Sequence, residues 1–338
     1  MKKTNLFLTG LALSASVLAA CGVKAEAGHF GFGGVATYAV TTATAAKVGS
    51  VQTEINYASI LLGKDAKIKQ LRLDVVQVKV AANDEGNATV YTSGADTQSK
   101  WEKLEGYNMK GASPIGKEWY EQAEAFENLA VGKTVAELVA LEQTDTTLVG
   151  GVAAGVTIHV NAFMDAVVAA EAAKVVVADV KDVKVGVGGF GGTGTNQNNY
   201  TIAGAAFGAD KKVVAARMDV FQIKYVLTAA TEDLKGAIAI KTTDKTVDAE
   251  NLRIKGKHEL GDAYGMGSEG KGEWFVQANK ITAYMVGKTV EVALAINPEN
   301  QHLSNEVAAD VSITGSDYRA AFDEAVGTAF TARYTAAA

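Results

Sequence analysis

The same ordered set of short blocks occurs twice in this sequence, and the repeat constrains the fold more than any other feature. The clearest block, Leu71-Arg-Leu-Asp-Val-Val-Gln-Val-Lys-Val80, returns as Ala216-Arg-Met-Asp-Val-Phe-Gln-Ile-Lys-Tyr225, with its Asp, Gln and Lys in register. Four further pairs follow in the same order: Tyr107-Asn-Met109 with Tyr264-Gly-Met266, Trp119 with Trp274, Val131-Gly-Lys-Thr134 with Val286-Gly-Lys-Thr289, and Val156-Thr-Ile158 with Val311-Ser-Ile313. Blocks that recur in one order indicate a duplicated structural unit.

The spacing between the two copies shows how the chain divides. It is 145 residues in the first block, 157 residues at Tyr107 and Tyr264, and 155 residues in the three blocks after them, so an insertion of about ten residues in the second copy follows the first block. A chain of 338 residues is long enough for two domains of the usual size, about 150 residues each. We therefore predict two tandem homologous domains, residues 28–178 and 179–338, each with a core of its own.

Within each copy the hydrophobic period changes from that of strands to that of helices. Alternation of apolar and polar residues, rich in β-branched side chains, predicts strands within 56–62, 66–80, 174–187 and 211–226, with hairpin turns at 63–65 and 208–210. Helical spacing follows at 117–130, 135–142, 163–173 and 318–330. Asn161 and Ser316 are good N-caps for the last helix of each copy. Strands followed by helices indicate the α+β class, with an antiparallel sheet packed against C-terminal helices in each domain.

The amino terminus has the three parts of an export signal. Basic Met1-Lys2-Lys3 precedes an apolar stretch at 6–17, which is too short for a stable bilayer-spanning helix, and Leu18-Ala19-Ala20 precedes Cys21. This tetrad resembles the lipobox of bacterial lipoproteins, and Cys21 is the only cysteine of the chain. We predict a lipoprotein signal peptide at 1–20, a diacylglycerol on Cys21 and a lipidated tether at 21–27, on the extracellular face of the cytoplasmic membrane. The alternative is an ordinary secretory signal with a chance cysteine.

Charge and motif spacing argue against several functions. The net charge of −6 disfavours a nucleic-acid partner, because such proteins need a basic face. Gly186-Val-Gly-Gly-Phe-Gly191 fits GxGxxG but runs into Gly-Thr-Gly-Thr instead of opening a helix, so it lacks the amide cradle of a dinucleotide site. The two Gly-Lys-Thr triplets have Glu127 and Thr282 where a P-loop has its leading glycine, so each threonine is predicted to cap a helix. No nucleophile motif supports a hydrolase.

The histidines show no ligand spacing either. The sequence has four of them, at positions 29, 159, 258 and 302, and none forms an HExxH or similar pattern. We expect these side chains on the surface or in loops, and we predict no metal site.

The block from Tyr107 to Gln122 carries the likeness to a known family. It reads Tyr107-Asn-Met-Lys-Gly-Ala-Ser-Pro-Ile-Gly-Lys-Glu-Trp-Tyr-Glu-Gln122, and Val-Gly-Lys-Thr and then Gly-Val-Thr-Ile follow it before a predicted helix. This order resembles the repeat of the PplA-type flavinylated surface lipoproteins, which serve flavin-based extracellular electron transfer in Gram-positive bacteria. The resemblance extends over both copies and the lipobox, and therefore over nearly the whole chain.

The resemblance implies one or two covalent flavins. In that family an ApbE-type flavin transferase joins FMN through its phosphate to a Thr or Ser hydroxyl, which here corresponds to Thr157 and Ser312. Contacts to the flavin ring are implied for matched side chains: Trp119, Trp274, Tyr107, Tyr264, Met109 and Met266. The alternatives are unmodified hydroxyls, Thr314 as the acceptor in the second copy, and aromatics that only fill the core. The Ser-Gly-Ala-Thr acceptor sequence of other flavinylated domains is absent.

The resemblance therefore predicts an electron-transfer protein and not an enzyme. A lipid-anchored carrier would take electrons from membrane quinol-oxidising components and pass them to extracellular acceptors such as ferric iron or soluble flavins. A covalent bond suits that location, because a freely dissociating cofactor would be diluted away outside the cell. The alternative is a surface lipoprotein without redox chemistry, acting as an adhesin or as a solute-binding module.

Overall fold

The computed structural model describes residues 25–92, 97–150, 155–267, 270–296, 301–303, 307 and 310–330. The predicted signal peptide and Cys21 lie outside these residues. Every strand pair within them is antiparallel, and the helices follow the main strands in the sequence, so the predicted α+β class is confirmed. No helix in the described part of the chain is long and apolar enough to cross a membrane.

The order of elements in the first part of the chain recurs in the second. The strands are β1 Gly28–Thr41, β2 Ser50–Gly63, β3 Ile68–Ala82, β4 Thr89–Tyr91, β5 Gln143–Thr144, β6 Thr147–Leu148, β7 Val175–Val177, β8 Lys184–Gly194, β9 Gln197–Phe207, β10 Val213–Thr228, β11 Ala237–Ile240, β12 Val247–Asp248 and β13 Arg253–Ile254. The helices are α1 Lys100–Lys103, α2 Trp119–Ala130, α3 Val135–Val139, α4 Asn161–Ala172, α5 Lys257–Leu260, α6 Trp274–Met285, α7 Val290–Ala293 and α8 Ser316–Phe330. Three long strands, a short helix and two longer helices therefore occur twice in the same order.

Two sheets form the middle of the molecule. The larger sheet has the strand order β12-β13-β1-β2-β3-β4, with β7 also paired to β1, and the smaller sheet has the order β11-β10-β9-β8. One face of each sheet packs on helices of its own part of the chain, which are α2 and α4 for the first sheet and α6 and α8 for the second. The other faces pack on each other. The result is four layers in the order helix, sheet, sheet, helix.

Glycines let the last helix of each half lie directly on a strand. A Cβ atom on Gly31 of β1 would overlap the carbonyl oxygen of Ala170 in α4, and one on Gly186 of β8 would overlap the carbonyl oxygen of Ala325 in α8. Gly-Phe-Gly-Gly at 31–34 therefore matches Gly-Val-Gly-Gly in β8, a repeat that the sequence analysis missed. The GxGxxG pattern is a helix-packing surface within a strand, which confirms that it opens no helix.

Each half has a buried cluster of its own between its sheet and its helices, and the two halves also share a third cluster between the sheets, which the sequence did not predict. Phe32, Ile55 and Val76 of the first sheet are buried in one cluster with Ile202 and Phe221 of the second. Backbone pairing also crosses the predicted boundary, because β13 pairs with β1. Each sheet covers one face with its own helices and needs the other sheet for the second face. The domain limits 28–178 and 179–338 stay a prediction.

Most local predictions agree with the structure, and two need correction. The hairpin turns at 63–65 and 208–210 join β2 to β3 and β9 to β10. Thr134 and Thr289 are the N-caps of α3 and α7, which confirms that interpretation of the Gly-Lys-Thr triplets. Asn161 and Ser316 are the first residues of α4 and α8 and not the N-caps that were predicted. Val160 holds the N-cap position of α4, so the Asn161 amide caps nothing. The strand predicted across 174–187 is divided into β7 and β8, because the chain turns from one sheet into the other.

Phe221→Ala should destabilise the two halves together. Phe221 is 2% exposed between the sheets, so the truncation leaves a cavity that costs about 3–5 kcal/mol. Because the core is shared, we expect one calorimetric transition at a lower midpoint temperature. Val292→Ala, on an exposed side chain of α7, is the control and should change stability by less than about 0.5 kcal/mol. Two separate transitions, of which only one moves, would contradict the shared core.

Candidate functional site

Four side chains that the sequence analysis selected line one cleft in the first half. Tyr107, Met109, Trp119 and Thr157 surround a cleft of about 370 Å³ at the amino-terminal end of α2. That volume lies at the lower end of the range for small-molecule sites. The fold therefore brings the predicted acceptor hydroxyl and the predicted ring contacts of this half together.

A buried glutamine holds the first hydroxyl in place. Gln122 of α2 is fully buried, and its side-chain oxygen accepts hydrogen bonds from the Thr157 N–H at 2.7 Å and from the Thr157 hydroxyl at 3.0 Å. Its amide nitrogen donates to the Ser113 hydroxyl at 3.1 Å and to the Lys117 carbonyl at 3.3 Å. Thr157 itself is half-buried. The amide of Gln122 thus fixes the position of a hydroxyl that is still partly open to the cleft.

The second half has the same arrangement. The side-chain oxygen of Gln277 in α6 accepts from the Ser312 N–H at 2.6 Å and from the Ser312 hydroxyl at 3.3 Å, and its amide donates to the Gly272 carbonyl at 2.9 Å. Gln277 is also fully buried, and glutamine and hydroxyl are 35 residues apart in both halves. The rival Thr314 forms an isolated bridge with His302 instead. Gln277 therefore selects Ser312 as the counterpart of Thr157.

The sequence analysis missed both glutamines, although a signal for them was present. Each stands three residues after the matched tryptophan, so an alignment of the two copies places them in register. A glutamine within an amphipathic helix reads as solvent-exposed until the structure shows that it lies on the buried side of the helix.

A buried lysine lies over the aromatic rings in each half. The Lys100 Nζ is 5.0 Å from the centre of the Tyr107 ring and 5.5 Å from that of Trp119. The Lys257 Nζ is 4.5 Å from the Tyr264 ring and 5.5 Å from the Trp274 ring. Burial lowers the pKa of Lys257 to about 8. Lys100 therefore brings a positive charge into the cleft that Thr157 also lines. Neither lysine was selected from the sequence.

The tryptophans are mainly core residues. Trp119 is 2% exposed, and its ring makes edge contacts with Trp101 and Phe163. Trp274 is 1% exposed, and its indole N–H donates to the Tyr318 hydroxyl at 3.1 Å. Trp119 thus presents only a small part of its surface to the cleft.

Tyr107, Met109, Tyr264 and Met266 are half-buried and have more surface to offer a ligand. A glutamate before each long helix positions the two methionines. The Glu118 carboxylate accepts from the Met109 N–H at 2.8 Å, and Glu273 accepts from the Met266 N–H at 2.9 Å. The bond from the Met266 N–H lowers the pKa of Glu273.

Matched aspartates hold the short helices that carry the lysines. Asp74 in β3 accepts from the Trp101 N–H of α1 at 3.2 Å. Asp219 in β10 accepts from the His258 N–H of α5 at 3.1 Å. Lys100 directly precedes Trp101, and Lys257 directly precedes His258. The repeated aspartate of the first sequence block therefore helps to position the lysine in each half.

One histidine departs from the surface position expected for it. His258 packs edge-on against Trp274, with ring centres 5.2 Å apart, and burial lowers its pKa to about 3. It occupies the place that Trp101 has in the first half, which explains its aromatic neighbours. No group of three or more His, Cys, Asp or Glu side chains within the described residues is placed to bind a metal ion.

The polar wall of the first cleft differs from its counterpart. Gln77 donates to the Glu54 carboxylate at 2.5 Å, and both line the cleft. In the second half, Gln222 donates to the Asn199 side chain at 3.2 Å. The same pair of strand positions thus holds an acid in one half and a neutral amide in the other.

Comparisons of this chain with family models, with curated proteins and with solved structures find no match.

Asp219→Asn should change stability in a pH-dependent way. Burial raises the pKa of Asp219 from 3.8 to about 6, so between these pH values the unfolded chain loses the proton before the folded one. The contribution of Asp219 to the free energy of unfolding therefore falls as the pH rises from about 4 to 6. We expect the asparagine variant to match the parent near pH 4 and to be more stable by about 1–3 kcal/mol at pH 7, as measured by urea unfolding.

Asp210→Asn is the control with the opposite sign. The Lys212 N–H lowers the pKa of the exposed Asp210, so this carboxylate helps the folded state above its unfolded pKa, and the asparagine variant should gain nothing at pH 7. If Asp219→Asn became less stable than the parent as the pH rises from 4 to 7, the result would contradict a raised pKa of Asp219 in the folded protein.

Proposed function

We propose that this protein is a lipid-anchored extracellular electron carrier with FMN joined by phosphoester bonds to Thr157 and Ser312. The observation that carries the proposal is the matched geometry of the two hydroxyls. In each half, the side-chain oxygen of a fully buried glutamine accepts two hydrogen bonds, one from the hydroxyl and one from the backbone N–H of the same residue. Two unrelated surface hydroxyls have no reason to share this arrangement.

The chain is proposed to consist of two tandem homologous domains, 28–178 and 179–338, each carrying one flavin. The repeated blocks, the repeated order of elements and the paired glutamines, lysines and aspartates support this division. The PplA-type resemblance predicts one or two flavins per chain, and the shared geometry favours two.

The residues of the first cleft fit an FMN group attached to Thr157. The ester would form when the Thr157 oxygen attacks the FMN phosphorus of a phosphoanhydride donor held by an ApbE-type transferase. The anhydride P–O bond breaks, the other phosphate leaves with the electron pair, and the hydroxyl proton passes to that phosphate or to solvent. Gln122 orients that hydroxyl beforehand and keeps its bond to the Thr157 N–H afterwards. Lys100 supplies a positive charge near the phosphate, while Tyr107 and Met109 provide apolar surface for the ring. FMN supplies the electron-transfer chemistry when it is bound.

The sequence supports the cellular setting of this proposal. The predicted signal peptide at 1–20 and the lipidated Cys21 hold the protein on the extracellular face of the cytoplasmic membrane. There it receives electrons from membrane quinol-oxidising components and passes them to acceptors such as ferric iron. A tether of this kind keeps each flavin on the protein without a free cofactor pool.

Loss of the acceptor hydroxyls should remove the flavins one at a time. From cells that contain the transferase, we expect intact protein to carry two FMN adducts, Thr157→Ala and Ser312→Ala one each, and the double variant none, measured by intact mass and visible absorbance. Thr314→Ala is the control for the rival hydroxyl and should keep both adducts. Gln122→Leu should lower occupancy at Thr157 because the hydroxyl loses its orienting partner.

A colourless, unmodified chain from such cells would overturn the proposal. It would leave the adhesin or solute-binding lipoprotein as the remaining interpretation. Two adducts retained in the double variant would reject these acceptor sites while keeping the flavin.

The acidic wall of the first cleft should set the potential of its flavin. A carboxylate near the ring disfavours added electrons, so Glu54→Gln should raise the midpoint potential by tens of millivolts. The titration is done in the Ser312→Ala background, so that only one flavin is present. Glu250→Gln, at an exposed position, is the control and should leave the potential unchanged. A lowered or constant potential in Glu54→Gln would show that this carboxylate does not face the flavin.

A further inference from the structure

Two arginines at matching positions have different surroundings. Arg72 in β3 donates from Nη1 to the Glu127 carboxylate at 2.8 Å, and the other oxygen of Glu127 accepts from the Leu73 N–H at 2.9 Å. The Glu127 side chain is only 2% exposed. In the first half, a buried carboxylate on α2 thus neutralises the arginine and also satisfies a backbone donor of the sheet.

The second half has the arginine without the acid. Arg217 in β10 occupies the position of Arg72, but the counterpart of Glu127 is Thr282 in α6. The Thr282 hydroxyl donates to carbonyl groups of its own helix, at Ala278 and Asn279. Within the described residues Arg217 makes no hydrogen bond or ion pair that would replace the missing one.

A cleft of about 430 Å³ lies where the missing side chain would be. Both Arg217 and Thr282 line it, between β7 and the start of β10 on one side and α6 on the other. The other walls are mostly apolar: Phe30, Ala173, Val175, Val176, Val214, Ala215, Ala216, Ala283 and Val286. Smaller side chains open this space, since Ala215 and Ala216 stand where the first half has Gln70 and Leu71.

Arg217 also lines a second cleft, of about 370 Å³, which has a polar end. This cleft contains Asp219, Arg253, His258 and Glu259, and the Arg253 guanidinium is already paired with Glu259 at 3.3 Å. The unpaired Arg217 therefore stands at the junction of an apolar space and a polar one. Burial lowers its pKa, with Asp219 on the same strand acting in the opposite direction.

We propose that the apolar cleft binds an amphiphilic carboxylate, whose head group pairs with Arg217 and whose apolar part lies between α6 and the β7 segment. Asp219 is the nearby acid but forms no ion pair with Arg217; a half-buried guanidinium without a hydrogen-bonded partner is costly, and a carboxylate offers it two parallel hydrogen bonds. The first half shows the same arginine position binding a carboxylate, which identifies the head group. The apolar walls require a hydrocarbon body, because a small hydrophilic anion would leave them in water.

The ligand site is separate from the flavin sites. None of the residues that line the apolar cleft belongs to the Thr157 cleft, and Ser312 is not among them. Failure of the carboxylate site would therefore leave the flavin proposal unaffected, and the reverse also holds.

Calorimetric titration of the full chain with decanoate tests this inference. We expect saturable binding, at one site that requires Arg217, with affinity lowered about tenfold or more in Arg217→Gln. Thr282→Glu places an acid at the position of Glu127 and should abolish binding while raising the melting temperature. Arg319→Gln removes an exposed cation of α8 and should bind decanoate like the parent. Decan-1-ol, which has the tail without the charge, should bind at least about tenfold more weakly than decanoate.

Three results would overturn the inference. The first is no saturable binding of decanoate to the parent chain. The second is unchanged affinity in Arg217→Gln. The third is binding of decan-1-ol as tight as that of decanoate, which would mean that the charge is not recognised. The arginine variant and the alcohol keep the test decisive even if Thr282→Glu does not fold.

Discussion

Each of the two main sheets has to cover two apolar faces, and the rest of the structure depends on how this is achieved. β2 is buried along nearly all of its length, because its side chains meet helices on one face and the second sheet on the other. Each half supplies helices for only one face. An isolated half would expose the shared core to water, and this exposure costs a free energy of about 25 cal/mol for each Å² of apolar surface. The seam between the halves is therefore as much a part of the fold as either half.

This packing also explains why the candidate sites lie at the amino-terminal ends of α2 and α6. α2 begins with Glu118 as N-cap, continues with Trp119 in the core and reaches Gln122 within one turn. A single helix thus positions the methionine segment, the aromatic wall and the Thr157 hydroxyl. α6 repeats the order with Glu273, Trp274 and Gln277. Because the tryptophan is locked in the core, the rotation of each helix is fixed, and the glutamine is aimed at the hydroxyl.

The sequence was most informative where a pattern is local. Alternation over β3 and β10 predicted strands because one residue in two faces the core, and the Gly-Lys-Thr triplet predicted the helix cap at Thr134, which the structure completes with a capping box to Glu137. Contacts between distant segments left no such pattern. The glycine-rich β1 reads as a loop until α4 is seen to lie on it, and the pairing of β13 with β1 joins segments more than 200 residues apart. Lys100 and Gln122 read as surface residues, since nothing nearby in the sequence marks the rings and the hydroxyl that they contact.

The differences between the halves are as informative as the likeness. The two halves share the order of their elements, so a position that differs between them shows where their surroundings differ. In the first half Glu127 forms an ion pair with Arg72. In the second half Thr282 takes the position of Glu127, and Arg217 lines a cleft beside it. Loss of a buried carboxylate normally destabilises a protein because it strands the partner charge. The second half keeps both the arginine and the space beside it, and in the proposed complex a carboxylate from outside the chain supplies what the glutamate supplies in the first half.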